Sequence, residues 1–161
     1  MDFGFTERED MREKFIKFVA TFGGLGYSKI APGTTGSLGG AAIYLLVKDN
    51  VIIYNIGLIG LLAAGFFVSG KAEEIFRVKD AKQIVIDEVC GLLIALYAIP
   101  FSYANLLLVF LLFRTIDVIK PFPIRKIEGL KGGLGIMGDD VIAAIYTNLI
   151  FRLALRFFLP K

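Results

Sequence analysis

The amino-acid sequence predicts an all-α fold: a compact multi-helix membrane bundle with about five apolar helices and an N-terminal amphipathic helix. Of its 161 residues, 56% are hydrophobic, and the mean hydropathy is +0.70, whereas soluble domains average roughly 45–50% apolar residues. Residues 51–70 carry no charge, and about 20 apolar residues suffice for a helix to cross a bilayer. No segment alternates polar and apolar residues as a half-buried strand would.

The length of the chain suggests one domain, residues 1–161. Early charges followed by apolar residues predict an amphipathic helix over 7–22. The predicted apolar helices are 38–47, 51–70, 89–99, a fourth that ends before Pro121 and Pro123, and a fifth from Asp139 or Asp140 to about Leu159. Two glycine-rich segments, 23–40 and 121–138, are predicted to be loops. The helices 38–47 and 89–99 are shorter than a usual membrane span, so partly re-entrant or internally packed helices are alternatives to full crossings.

The residue types that are scarce exclude several kinds of chemistry. The chain has no histidine and one cysteine, Cys90, which excludes Ser-His triads and an intramolecular disulfide. Cys90 is followed by GLLIALY, without an arginine to hold a phosphate, so we expect Cys90 to be dispensable. The net charge of +3 is too small to indicate a nucleic-acid partner. Acid–base or metal chemistry must therefore rest on carboxylates, lysine, tyrosine or the single thiol.

The basic residues are distributed unevenly. If the helices cross alternately, 14 of the 18 lysines and arginines fall with the N-terminus and the three long loops. These are Arg8, Arg12, Lys14, Lys17, Lys29, Lys71, Arg77, Lys79, Lys82, Arg114, Lys120, Arg125, Lys126 and Lys131. The positive-inside rule then predicts that this side is cytoplasmic and that the C-terminus lies outside the cytoplasm. The N-terminal stretch MDFGFTEREDMREKF lacks the apolar region of a signal peptide.

Five carboxylates are predicted to lie on that same side, where apolar helices meet water. Asp87 and Glu88 precede one apolar helix, Asp117 is near the end of the next, and Asp139 and Asp140 begin the last. Taken singly, these residues are explained as helix caps, dipole partners or a surface ion pair. Together they are harder to explain in that way, because ionisable groups near the membrane are costly and usually functional.

The types of side chain favour a site for Mg²⁺. Several carboxylates without histidine or paired thiolates suit a hard cation that prefers oxygen ligands and joins carboxylates to a substrate phosphate. The segment APGTTGS, residues 31–37, falls at the same level, and glycine-rich turns and helix N-termini offer N–H groups to phosphate. Lys120 and Arg125 would add positive charge.

Four sequence blocks occur in order at suitable spacing: GYSKIAPGTTGS, IVIDEVCG, RTIDVIKPFPI and GGLGIMGDDVIAA. Together they resemble the phosphatidylglycerophosphatase A family, over about residues 23–146. The resemblance implies a multi-pass enzyme of the bacterial inner (cytoplasmic) membrane, with its active site on the cytoplasmic face. The enzyme would use Mg²⁺ to hydrolyse phosphatidylglycerophosphate to phosphatidylglycerol and phosphate.

This interpretation assigns roles to particular residues. The predicted catalytic residues are Asp87, Glu88, Asp117, Asp139 and Asp140. All of these except Asp139 are predicted metal ligands. The predicted phosphate-binding residues are Thr34, Gly36, Ser37, Lys120 and Arg125. Direct attack by water is favoured over an aspartyl-phosphate intermediate, because no Asp-x-Asp pair of the haloacid-dehalogenase kind is present.

The alternative is a non-enzymatic binding or transport protein whose carboxylates carry ions or cap helices. Transporter carboxylates are expected nearer mid-span than at helix ends, which favours the enzyme. The lipid substrate and the membrane are the predicted partners, nucleic acid is not, and the oligomeric state is left open.

Overall fold

The computed structural model describes residues 3–158, with side chains from Asp10 to Phe157, and this range is all-helical without a strand. The seven α-helices are α1 Phe3–Ala20, α2 Pro32–Val47, α3 Val51–Phe76, α4 Ile86–Leu96, α5 Tyr103–Ile119, α6 Ile124–Glu128 and α7 Gly133–Phe158, and one turn of 3-10 helix covers Leu25–Tyr27. The predicted all-α class is therefore confirmed.

Polar side chains begin the helices on both sides of α4. In the turn between α2 and α3, the side-chain oxygen of Asn50 accepts hydrogen bonds from the N–H groups of Ile52 and Ile53, both at 3.1 Å. The hydroxyl of Ser102 accepts the N–H of Asn105 at 3.0 Å and caps α5. These caps satisfy N–H groups that a helix leaves free in its first turn.

The short helix α4 lies at the centre of the bundle, packed by α2, α3, α5 and α7. Its residues Val89, Leu92 and Ala95 are fully buried. The side-chain amide of Asn148 in α7 donates to the carbonyls of Ala95 at 2.9 Å and Tyr97 at 2.8 Å, at the C-terminal end of α4. A helix leaves the carbonyls of its last turn without partners, so Asn148 stabilises the end of α4 at this point.

Two glycines allow α2 to approach α4 closely. A Cβ atom added to Gly36 would lie 2.8 Å from the Cβ atom of Val85, and one added to Gly40 would lie 2.8 Å from the carbonyl oxygen of Val89. Both distances are shorter than van der Waals contact. The close approach of the two helices therefore requires glycine at these positions.

Two of the described helices, α3 and α7, are long and apolar enough to cross a membrane. Only 17% of the apolar window of α3 is buried inside the protein, against 56% for α7. The outward side of α3 carries Ile52, Ile56 and Ile59, each about two thirds exposed. This surface favours a membrane protein, but two such helices do not confirm the predicted set of about five apolar membrane helices.

Several predicted boundaries are wrong, and three of them affect the predicted site residues. Helix α2 begins at Pro32, so most of residues 31–37 is helical and not a loop. Helix α4 begins at Ile86, which places Asp87 and Glu88 in its first turn rather than before it. Helix α7 begins at Gly133, inside the predicted loop 121–138.

The early start of α7 has a packing reason. A Cβ atom on Gly133 would collide with the carbonyl of Phe66 in α3, so glycine allows the two helices to meet there. Such packing outweighs the low intrinsic helix propensity of glycine. As a consequence, Asp139 and Asp140 lie in the second turn of α7 and neither is its N-cap.

We predict that Gly40→Ala lowers the free energy of unfolding by roughly 1–3 kcal/mol, because overpacking a tight helix contact costs about this much. The matched control is Gly60→Ala in α3, where an added Cβ atom meets nothing within 4 Å. The control should be neutral or slightly stabilising, because alanine is the better helix former. Thermal unfolding of both variants in one detergent measures the difference, and equal stability of the two would contradict the described packing of α2 on α4.

Candidate active site

A polar cavity of about 250 Å³ lies where α2, α4 and α7 begin and α5 ends. It is lined by the carboxylates Asp80, Asp87, Glu88, Asp117, Asp139 and Asp140, the basic residues Lys82, Arg114 and Lys120, and Pro32, Gly33, Ile84 and Val118. A larger open groove of about 820 Å³ runs between α3 and the loop before α7. Only two carboxylates, Glu73 and Glu74, line this groove, so the smaller cavity is the candidate site.

Helix α4 contributes Asp87 and Glu88 from its first turn. The carboxylate of Asp87 is 8% exposed and accepts the N–H of Glu88 at 3.0 Å. Burial raises the pKa of Asp87 well above its usual value, and the nearby charge of Glu88 adds to the rise. A bound cation would act in the opposite direction, since it favours the ionised carboxylate.

Helix α5 contributes Asp117 together with Arg114, one turn earlier. A guanidinium nitrogen of Arg114 lies 2.7 Å from the carboxylate of Asp117 and 3.9 Å from that of Glu88. Both contacts are largely shielded from solvent, with Arg114 only 21% exposed. Arg114 therefore connects the carboxylates of α4 with that of α5.

Helix α7 contributes Asp139 and Asp140, 5% and 3% exposed. One oxygen of Asp139 accepts the N–H of Asp140 at 3.0 Å, and the other lies 2.7 Å from the ammonium of Lys120. Lys120 also donates to Glu128 at 2.8 Å. Burial would lower the pKa of Lys120, but the hydrogen bonds to Asp139 and Glu128 outweigh it and raise the pKa, so the side chain stays charged.

The arrangement of oxygen atoms fits a divalent cation. Two groups of three carboxylates each bring one oxygen per residue within 4.8 Å of one another. These groups are Asp87, Glu88 and Asp140, and Asp117, Asp139 and Asp140. One buried oxygen of Asp140 and one of Glu88 have no hydrogen-bond partner in the described part of the chain. An unpaired buried carboxylate oxygen is costly, and oxygen-only ligands suit a hard cation such as Mg²⁺.

The structure brings together the five predicted catalytic carboxylates and Lys120, but not the other four predicted phosphate ligands. Gly36 packs on Val85. The hydroxyl of Ser37 is buried and donates to the carbonyl of Gly33 at 3.0 Å. Arg125 donates to the carbonyl of Ile119 at 3.3 Å. Thr34 is half-buried, and neither it nor the other three lines the cavity.

Three of these four residues, Thr34, Gly36 and Ser37, lie away from the cavity because most of residues 31–37 is helical. In a loop, Ser37 would be free to reach a phosphate, whereas in the second turn of α2 its hydroxyl bonds back to the preceding turn. The residue of this segment that does reach the cavity is Gly33. A Cβ atom there would collide with the carboxylate of Glu88 and lie 2.8 Å from a guanidinium nitrogen of Arg114.

Among the lining residues that sequence reasoning missed are Gly33, Asp80, Lys82 and Arg114. The spacing of Arg114 and Asp117 was visible as an i, i+3 pair, but the same spacing occurs in surface ion pairs. Asp80 and Lys82 belong to a charged turn after α3 that carries no signal of its own. Gly33 lay inside one of the quoted blocks and had no separate signal.

Cys90 lies in α4, close behind the cavity, and is fully buried. A thiol enclosed in apolar surroundings ionises less readily than one in water. A thiolate is the reactive form of cysteine. The single thiol of the chain is therefore poorly suited to act as a nucleophile.

Comparison with known proteins identifies the family. The model of the family "Phosphatidylglycerophosphatase A" matches residues 18–155. A Haemophilus influenzae protein named phosphatidylglycerophosphatase A is 41% identical over 139 residues, 84% of this chain and 85% of the relative. The Escherichia coli protein of the same name is 35% identical over 129 residues, 77% and 74% of the two chains.

A third relative has a different name. A Bacteroides thetaiotaomicron protein, provisionally named phosphatidylinositol-3-phosphatase, is 34% identical over 145 residues, 84% of this chain and 91% of the relative. No solved structure matches the chain. The family model covers most of the sequence, and the chain belongs to the phosphatidylglycerophosphatase A family of phosphatase enzymes.

Proposed function

We propose that this chain is a Mg²⁺-dependent lipid phosphatase that hydrolyses phosphatidylglycerophosphate to phosphatidylglycerol and phosphate, in phospholipid biosynthesis. The observation that carries the proposal is the convergence of five carboxylates from α4, α5 and α7 on one cavity, where two of their oxygens have no hydrogen-bond partner among the described residues. The names of two relatives support the substrate. The non-enzymatic alternative finds no support in the family.

Asp87, Glu88, Asp117 and Asp140 would hold the cation. When bound, Mg²⁺ polarises a phosphoryl oxygen and lowers the pKa of a coordinated water. The carboxylates supply the oxygen ligands and most of the negative charge that such an ion needs. Asp139 has both oxygens engaged, one by the N–H of Asp140 and one by Lys120. We assign to it the positioning of Lys120, whose charge balances the site.

Two groups of this chain are suited to bind the substrate phosphate. The guanidinium of Arg114 offers only hydrogen-bond donors, in a planar fork that matches the oxygens of a phosphate. The first turn of α2 has no side-chain cap, and the first N–H groups of a helix lack partners within it and attract anions. Gly33 lines the cavity at this end of α2. A phosphate between Arg114 and this turn would face the carboxylate-held cation.

The proposal puts the active site at the cytoplasmic face of a bacterial inner membrane. The helix directions support a single polar end, since α2, α4 and α7 begin beside the cavity and α5 ends there. Helix α1 adds an interfacial feature. Its residues Met11, Phe15 and Phe18 are each more than 60% exposed, whereas Ile16 and Ala20 of α1 are buried in one cluster with residues of α3. Exposed aromatic residues on an amphipathic helix are typical of membrane surfaces.

Phosphate release from purified protein in mixed micelles tests the activity. We expect release from phosphatidylglycerophosphate that is abolished by EDTA and restored by Mg²⁺. Phosphatidylinositol 3-phosphate is the control substrate, chosen because one relative bears that name. Faster release from phosphatidylinositol 3-phosphate would make that lipid the preferred substrate. The absence of Mg²⁺-dependent release from both lipids would refute the proposed activity.

Asp→Asn substitutions test the site, because asparagine keeps the shape and capping ability of aspartate but not its charge. We expect Asp87→Asn, Asp117→Asn and Asp140→Asn to lower turnover by roughly a hundredfold or more, about 2.7 kcal/mol of barrier. Asp139→Asn should lose less, because Asp139 acts through Lys120.

The matched controls are Asp49→Asn, an aspartate 86% exposed at the far end of the helices, and Cys90→Ala, beside the cavity. Both should keep most of their activity. Near-normal turnover in all three carboxylate variants, with unchanged Mg²⁺ dependence, would overturn the assignment of the active site.

A reporter fused after Lys161 tests the topology. Helix α7 begins beside the cavity and runs away from it, so we expect the C-terminus on the periplasmic side if the cavity is cytoplasmic. The control is the same reporter fused before Met1, which should read cytoplasmic. A cytoplasmic reading at both ends would contradict this orientation of the chain in the membrane.

A further inference from the structure

We propose that the cavity binds two divalent cations that share Asp140 as a bridging ligand. The inference rests on the proposed function, because it concerns the cation that the phosphatase would use. The inference goes beyond the proposed function in the number of cations and in the way the carboxylates are divided between them.

The first observation is the grouping of the carboxylate oxygens. Asp140 belongs to both groups of three. Its partners in one group, Asp87 and Glu88, come from α4, whereas Asp117 and Asp139 in the other come from α5 and α7. Each oxygen of Asp139 accepts one hydrogen bond and keeps a further lone-pair direction, so Asp139 would bind the second ion as well as position Lys120. A carboxylate has two oxygens and about four lone-pair directions. Asp140 can therefore serve two ions at once, as a bridging ligand does.

The second observation concerns the unpaired oxygens. Asp140 lines the cavity and is 97% buried, being 3% exposed, and one of its oxygens has no hydrogen-bond partner within the described part of the chain. Buried hydroxyls elsewhere in the described chain are mostly paired, as in Ser37 with Gly33 and Thr147 with Ala143. A buried carboxylate oxygen without a partner indicates that a ligand binds at that position.

The third observation is the charge of the cavity. Six carboxylates and three basic side chains line it, which gives a formal charge of −3 when all are ionised. One divalent cation leaves the cavity at −1, so a phosphate monoester with up to two negative charges would still be repelled. Two cations bring it to +1 and turn repulsion into attraction. In two-metal phosphatases the paired ions stabilise the attacking and leaving oxygens of the phosphoryl group.

The two sites should differ in affinity. In the group of Asp87, Glu88 and Asp140, the closest ion pair among the described residues joins the carboxylate of Glu88 to Arg114, at 3.9 Å. In the other group, Asp117 lies 2.7 Å from Arg114 and Asp139 lies 2.7 Å from Lys120. A cation there must compete with two bound positive charges. We therefore expect the site that contains Asp87 to bind more tightly than the site that contains Asp117.

Mn²⁺ is a suitable probe, because it takes the same oxygen ligands as Mg²⁺ and is paramagnetic. Free Mn²⁺ can be counted by its electron paramagnetic resonance signal during titration of the purified full-length protein, without lipid substrate. We expect two Mn²⁺ per chain at saturation, bound in two steps. At saturation the two ions should show a spin-coupled spectrum, since they share a carboxylate.

Three variants divide the sites. Asp117→Asn should lose the weaker step and keep the tighter one, and Asp87→Asn should weaken the tighter step. Asp140→Asn should weaken both by roughly tenfold or more, because ligand charge sets the affinity. The control, Asp49→Asn, should bind as the unmodified chain does.

The unmodified chain alone can overturn the inference, so the test does not depend on the variants folding. Saturation at one Mn²⁺ per chain, or two ions without spin coupling, would refute the shared site. One bound ion together with Mg²⁺-dependent lipid hydrolysis would refute the pair and leave the proposed function intact. Two coupled ions without hydrolysis of either lipid would support the pair and refute the function.

Discussion

The burial of carboxylates at one end of an apolar bundle is the constraint on which the rest of the structure depends. Taking an ionised group out of water is costly unless it is paired or bound to a metal. Here Arg114 and Lys120 neutralise part of the negative charge, through contacts of 2.7 Å to Asp117 and Asp139. The negative charge that remains favours the binding of a cation among the carboxylates.

The helical scaffold serves this cluster through a few close contacts. Glycines at 36 and 40 bring α2 against α4, and Gly33 then brings the first turn of α2 to Glu88 and Arg114. Gly133 lets α7 start against α3, which adds six residues of helix, 133–138, before the two aspartates of α7 that line the cavity. The packing of small residues, more than loop flexibility, therefore builds the site.

Much of the site could be predicted from the sequence, because its carboxylates stand at the junctions between apolar runs and charged segments. The alternation of apolar runs with short polar turns likewise predicts the order of the helices. What the sequence does not reveal is where the glycine-rich helices start. Gly, Pro and Thr are typical of loops, yet Pro32 fits the first turn of a helix and Gly133 is helical because of its contact with Phe66.

The residues that reach the cavity from α2 and α5 could not be predicted for a similar reason. The six-residue error in the start of α2, residue 38 instead of Pro32, moves Ser37 from a loop into the core and leaves Gly33 at the cavity. Arg114 shows another limit, since an i, i+3 ion pair has the same sequence pattern whether it lies on the surface or in a cavity. Only the packing of α5 against α4 distinguishes the two.

The most direct test of the central claim is a crystal structure of the protein soaked with Mn²⁺ and orthovanadate, a phosphate analogue, read by the anomalous scattering of manganese. The account predicts manganese on the carboxylates around Asp140, with the vanadate between the metal and Arg114. Manganese and vanadate bound elsewhere, for example in the groove lined by Lys71 and Lys131, with the carboxylate cavity free of both, would contradict it.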